Sequence, residues 1–149
     1  MSSENPTTLV ERVFSRIAAT RMAGLPLNNP ALRVEACGFR RWQDLWLGVL
    51  IAPWAINLML LPGGSAAFRR LGPDEARTWT FPSGEYAFRG GEADGLGPYQ
   101  SCSLFSPAFE FARHADARHA AQVALAVLLE APSPRRAFLA RLLPAVEQV

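Results

Sequence analysis

Apolar and polar residues first follow a helical pattern near the start of the chain. Leu9, Val13 and Ile17 form an apolar stripe, and charged residues occupy the opposite side, so this pattern predicts an amphipathic helix. Thr8 and Glu11 have the spacing of a capping box, in which each side chain accepts a hydrogen bond from a free N–H group at the helix start. A capped helix is therefore predicted directly after the first few residues.

The longest apolar run covers residues 45–62, LWLGVLIAPWAINLMLLP. It approaches the length of a membrane-spanning helix, but Pro53 divides it, so it predicts two strands over residues 45–52 and 54–61. Both strands are apolar on both faces, whereas an antiparallel strand usually alternates. Three covers for the second face stay open: the chain's own helices and loops, a second subunit, or a bound partner.

Further patterns complete a predicted fold. A strand is expected to begin near residue 32, three more lie between residues 77 and 105 with short loops, and an Ala-rich helix covers residues 116–130. This order predicts an α+β domain, an antiparallel five- to six-stranded meander sheet with an N-terminal helix and a C-terminal helix packed mainly on one face. Residues 1–131 are expected to form this domain, and residues 132–149 a tail with a short helix.

Composition excludes several classes of function. A net charge of +2, with arginines scattered along 149 residues, does not favour nucleic-acid binding. The two cysteines are too few for a disulfide scaffold and contain no CxxC pair, which favours reduced thiols in the cytoplasm and predicts no bound metal. The first residues also lack the features of a secretory signal.

Side chains that could carry chemistry are few. No nucleophile elbow, phosphate-binding loop or HExxH motif occurs. His114 and His119 lie five positions apart, which favours solvated or capping side chains over a shared metal. Cys102 is either a nucleophile or a small buried residue. Glu92 and Asp94 form an acidic turn that is hydrated, holds a cation or faces a basic peptide.

Two blocks of sequence resemble the signature of the HybE family of [NiFe]-hydrogenase assembly chaperones. One is Trp46–Trp54 followed by Asn57–Gly63, and the other is Gly91–Gly95 followed by Tyr99–Pro107. The resemblance implies a cytoplasmic accessory protein that binds hydrogenase precursors, namely the large subunit and the small subunit with its twin-arginine signal peptide, until their cofactors are inserted. It implies no catalysis and no cofactor of its own. Some relatives carry a rubredoxin-type iron domain, but this chain lacks the CxxC pairs that such a domain needs.

The candidate partner-binding residues come from these blocks: Trp46, Pro53, Trp54, Asn57, Glu92, Asp94, Tyr99 and Cys102. In one hypothesis, a groove around residues 45–61 and the nearby acidic turn receive the apolar stretch and the Arg pair of a signal peptide. The tail sequence RRAFL, residues 135–139, is either an internal mimic of such a signal or part of a packed amphipathic helix. A homodimer is also compatible with the sequence. Two other functions stay open: a thiol-dependent enzyme or redox-protective protein that uses Cys102, and a secretion-type chaperone for another client.

Overall fold

The computed structural model describes residues 4–131, so the tail predicted for residues 132–149 lies outside the described residues. Two helices and six strands confirm the α+β class. Their bounds are α1 Thr7–Ala19, β1 Glu35–Trp42, β2 Leu45–Ala52, β3 Ala55–Leu61, β4 Ala76–Phe81, β5 Gly84–Ala93, β6 Gly97–Phe105 and α2 His114–Leu128.

The six strands form one antiparallel sheet in the order β1-β2-β3-β6-β5-β4. A simple meander was expected, but the structure joins two three-stranded meanders through β3 and β6. The connection over residues 62–75 is long enough to carry the chain to the far edge of the sheet. Strand β4 suits that edge because its buried and exposed residues alternate, whereas every residue of β2 is buried.

The apolar run of residues 45–62 forms the two predicted strands. β2 and β3 pair from Trp46 opposite Leu61 to Ala52 opposite Ala55, and Pro53 lies in the turn between them. No helix within residues 4–131 is long and apolar enough to cross a membrane. Because both strands occupy the middle of the sheet, their two apolar faces each need a covering layer.

The two helices provide these layers on opposite faces, so the prediction that both pack mainly on one face is wrong. Alternate residues of β2, including Leu45, Leu47 and Val49, pack with α2. The intervening residues Trp46 and Leu50 pack with α1. Successive side chains of a strand point to opposite faces, so a strand that is apolar throughout requires cover on both. The sequence left open what covers the second apolar face, and in the structure the chain's own helices cover both faces.

The start of α1 also differs from the predicted capping box. The helix begins at Thr7, whose backbone N–H donates to Oδ1 of Asn5 at 3.0 Å. The carboxylate of Glu11 instead leaves the helix and accepts a hydrogen bond from the backbone N–H of Ala36 in β1, at 3.0 Å. Glu11, which the sequence pattern assigned to a local helix cap, thus joins α1 to β1.

Candidate functional site

The eight residues predicted to contact a partner are divided between two faces of the sheet. The face that α1 covers, called the α1 face below, carries four of them: Trp46, Trp54, Asn57 and Tyr99. Cys102 packs on the opposite face, because it follows Tyr99 by three positions in β6 and strand residues alternate. Pro53 occupies the β2–β3 turn, while Glu92 and Asp94 lie at the β5–β6 hairpin.

Trp54, Asn57 and Tyr99 meet at a cavity of about 70 Å³, called the tyrosine cavity below. The Tyr99 ring makes an edge contact with Phe14 of α1, with ring centroids 5.8 Å apart. It also lies over Gly91, where a Cβ would come within 2.5 Å of the ring, so this position requires glycine. Burial raises the pKa of Tyr99, which keeps its hydroxyl protonated at neutral pH. Oδ1 of Asn57 is buried without a hydrogen-bond partner among the described residues.

Glu92 and Asp94 line a second cavity of about 220 Å³ between the β5–β6 hairpin and the end of α1. This cavity, called the acidic cleft below, also has basic groups, since Arg16 of α1 and Arg21 just after α1 line its other side. Glu92 also pairs with Arg70 at 3.4 Å, but both side chains are more than half exposed, so this ion pair is weak. A cationic ligand in the cleft would therefore compete with the chain's own arginines.

Trp46 lines a third cavity, of about 100 Å³, at the start of α1, called the Trp46 cavity below. Most of the lining is apolar and includes Pro6, Leu9, Leu61 and Leu96, but Glu4 and Asn5 also line the cavity. The guanidinium of Arg41 lies over the indole ring, 5.0 Å from its centroid. The indole Nε1–H is buried and has no acceptor among the described residues. The cavity therefore combines apolar walls with one unpaired hydrogen-bond donor.

All three cavities lie between α1 and the sheet. Val10, Val13 and Phe14 hold the helix on the α1 face, and the Glu11 carboxylate ties it to β1. Space beside the helix at both ends leaves its packing incomplete, and incomplete packing lowers the free energy needed for local opening. A further cavity, of about 320 Å³, lies between β1 and α2 on the opposite face. The α1 face is therefore the place where the three cavities beside α1 and four of the eight predicted residues come together.

The thiol groups do not have the surroundings of reactive cysteines. Burial raises the pKa of Cys102, and no described residue lies within hydrogen-bonding distance of its sulfur as a base. Burial, and then the charge of Glu35, raise the pKa of Cys37 to about 11. Both thiols are thus mostly protonated at neutral pH, whereas a nucleophile needs the thiolate.

A buried polar cluster on the α2 side was not predicted. His114 was expected to be solvated or to cap a helix, but it is buried, and its Nε2–H donates to Glu35 at 2.7 Å. The backbone N–H of Arg33 donates to Nδ1 of the same ring. Nε of Arg118 donates to both carboxylate oxygens of Glu35, at 3.1 and 3.0 Å. His114 and Arg118 lie four positions apart on one helix, a spacing that puts both side chains on the same helix face and could have predicted the cluster.

Glu35 is held in its charged form by this cluster. Burial alone would raise its pKa, but the hydrogen bonds from Arg118 and His114 and the charge of Arg118 outweigh burial and lower it. The cluster joins α2 to β1 and has a structural role. Within residues 4–131, no group of three or more His, Cys, Asp or Glu residues is arranged to hold a metal ion.

Comparison with known proteins identifies relatives along most of the chain. The family model for "[NiFe]-hydrogenase assembly, chaperone, HybE" matches residues 5–145. The protein HoxT of Cupriavidus necator is 42% identical over 83% of this chain and 75% of its own length. The hydrogenase expression/formation protein HupT of Azotobacter chroococcum is 42% identical over 86% of both chains.

More distant relatives include a protein of known structure. The hydrogenase-2 operon protein HybE of Escherichia coli K12 is 31% identical over 69% of this chain and 64% of its own length. The solution structure of HybE from Escherichia coli superposes with a TM-score of 0.69 at 26% identity, covering 88% of this chain and 81% of that one. Sequence and fold thus agree on the relationship.

Proposed function

The chain belongs to the HybE family of [NiFe]-hydrogenase assembly chaperones, and from this we propose that it binds hydrogenase precursor subunits in the cytoplasm until their cofactors are inserted. The clients would be the large subunit, the small subunit with its twin-arginine signal peptide, or both. The proposed role is binding, without a reaction or a cofactor of its own.

The α1 face is the proposed binding surface. The observation that carries this choice is the row of three cavities along α1, which Trp46, Trp54, Asn57 and Tyr99 line together with the β5–β6 hairpin. Aromatic side chains beside incompletely filled cavities, of which the Trp46 cavity is mainly apolar, are typical of surfaces that bind peptide segments. The cysteine-bearing α2 side offers no comparable group of the predicted residues.

Glu92 and Asp94 would attract the basic residues of a signal peptide to the acidic cleft. Their effect is expected to be modest, since Arg16 and Arg21 line the same cleft. Exposed ion pairs each contribute roughly 0.5 kcal/mol, so two of them would change affinity about fivefold. The apolar Trp46 cavity and the aromatic side chains of the α1 face must then supply most of the affinity.

A titration of a twin-arginine signal peptide from a hydrogenase small subunit tests this surface. We expect the double variant Glu92→Ala, Asp94→Ala to bind the peptide about fivefold more weakly at low salt, with the difference vanishing at high salt. The matched control is Glu85→Ala, Asp74→Ala, which removes the same charge at exposed positions that do not line these cavities. Equal effects of the two double variants would refute a specific role for the hairpin.

Co-purification from native cells tests the choice of client. Immature hydrogenase subunits should be recovered with the tagged full-length chain, and a Tyr99→Ala, Trp54→Ala variant should recover less of them. Recovery of an unrelated exported protein, with no hydrogenase subunit, would instead indicate a secretion-type chaperone for another client.

A further inference from the structure

We propose that the Trp46 cavity is a specific subsite for one aliphatic side chain, of about leucine size, and that the Trp46 Nε1–H donates to a backbone carbonyl of the same peptide segment. The hydrogenase precursor would supply this segment, and in naming that source the inference rests on the proposed function. The chemistry of the subsite itself depends only on the residues that form it.

The unpaired indole N–H is the first observation. Trp46 is only 8% exposed, and its Nε1 has no acceptor within the described residues. An indole nitrogen can only donate, so whatever satisfies it must bring an acceptor. Buried donors are rarely left unpaired in native proteins, because removing such a group from water without a replacement bond is unfavourable. A ligand carbonyl would satisfy this donor.

The size and lining of the cavity are the second observation. Pro6, Leu9, Leu61 and Leu96 present mainly apolar surface around about 100 Å³. An apolar cavity of about 150 Å³ accepts benzene, so a volume of this size suits a side chain of about four carbons. A charged or strongly polar side chain would lose hydration among these apolar groups, with only Glu4 and Asn5 as polar lining residues.

The Pro62-Gly63-Gly64 turn is the third observation, because it lies beside the indole edge. Cδ1 of Trp46, which is bonded to Nε1, is 3.1 Å from the position that a Cβ on Gly63 would occupy. Gly63 and Gly64 both have positive φ angles, +56° and +87°, where glycine is at ease and other residues are strained. Nε1 is fully buried in the free protein, so this turn must shift on binding to admit the carbonyl.

The positive charge of Arg41 beside the indole favours an oxygen over a donor at that point. The Arg41 guanidinium stacks over the indole, and its Nη1 would lie 2.7 Å from a Cβ on Gly63. A carbonyl oxygen that approaches through the turn would meet both the indole N–H and this positive charge. Glu4 lines the same cavity, so it is the mainly apolar lining, and not charge, that favours the apolar part of a client over its Arg pair.

Nuclear magnetic resonance of the full-length chain tests the subsite without any client. The probe is N-acetyl-leucine methylamide, which carries a leucine side chain and two carbonyls, and the control is N-acetyl-glycine methylamide. The Trp46→Phe variant assigns the Trp46 indole resonance by its disappearance, and Trp54→Phe does the same for Trp54. We expect a saturable downfield shift of the Trp46 indole proton with the leucine probe alone. An unmoved resonance, or equal shifts with both probes, would overturn the inference.

A second measurement separates this inference from the proposed function. Trp46→Phe keeps the aromatic ring and removes the donor, so we expect it to bind hydrogenase precursor about two- to tenfold more weakly, while Trp54→Phe changes affinity through packing alone. If the precursor binds and Trp46→Phe binds it equally well, the inference fails and the proposed function stands. If the precursor does not bind but the leucine probe shifts the Trp46 resonance, the proposed function fails and the subsite stands.

Discussion

Replacing Glu11 by Ala should loosen α1 from the sheet. The Glu11 carboxylate accepts a hydrogen bond from the backbone N–H of Ala36 at 3.0 Å, and Ala36 is buried. Hydrogen bonds to charged groups contribute about 1.5–3 kcal/mol, and the better helix propensity of Ala returns a few tenths of this. We expect a loss of about 1–2.5 kcal/mol in the free energy of unfolding.

The Thr8→Ala variant provides the contrast. In a capping box, loss of the Thr hydroxyl would cost about 0.5–2 kcal/mol. In the structure the helix begins at Thr7 with Asn5 as hydrogen-bond acceptor, and Thr8 is exposed. We therefore expect Thr8→Ala to change stability by less than about 0.5 kcal/mol.

Urea unfolding measures both stability changes, and hydrogen exchange locates them. In Glu11→Ala, the amides of α1 should exchange faster by about tenfold for each 1.4 kcal/mol lost, while the amides of the central strands change less. A stability loss in Thr8→Ala equal to that in Glu11→Ala would support the capping box and refute the tie to Ala36. An unchanged hydrogen-exchange rate of the α1 amides in Glu11→Ala would also refute the tie to Ala36.

Three further predictions concern other parts of the chain. The folded-state pKa of Glu35 is lowered, so the charged carboxylate stabilises the fold above the ordinary value of 4.5, and this stabilisation is lost as the pH falls through the lower folded-state value. Urea midpoints measured on either side of pH 4.5 should therefore show a loss of stability in acid, and Glu35→Gln should reduce that loss. Labelling of Cys102 by a thiol reagent at pH 7 should be slower than labelling of a free cysteine, and Cys102→Ser should leave client binding unchanged; fast labelling with lost binding would favour a working thiolate. Truncation after Ala131 should tighten signal-peptide binding if the tail occupies the client's place, and weaker or equal binding would reject the mimic.

The strands could be predicted because their signals are local. Pro53 marks the end of β2, the Pro62-Gly63-Gly64 turn marks the end of β3, and Pro82 lies in the turn between β4 and β5. Strand order could not be predicted in the same way. It depends on where the connection over residues 62–75 leads, and a long connection allows several partners for β3. Short loops predicted neighbours correctly within each half of the sheet.

The site could be predicted in part. Trp54, Asn57 and Tyr99 line one cavity, although they come from the β2–β3 turn, β3 and β6. Their role in binding a partner stays a prediction. The assignment of Cys102 to the same surface overlooked strand alternation, which puts it on the opposite face from Tyr99. The arginines opposite Glu92 were also missed, because the contact between α1 and the β5–β6 hairpin joins residues far apart in sequence.

The central pairing of β3 with β6 has a consequence for the nascent chain during its synthesis on the ribosome. β3 is complete at Leu61, whereas its second neighbour is complete only at Phe105. At about 5–20 residues per second, translation leaves one edge of this strand open for about two to nine seconds. An unpaired apolar strand invites aggregation during that interval. A chaperone of this fold is thus itself a vulnerable nascent chain before it can protect another.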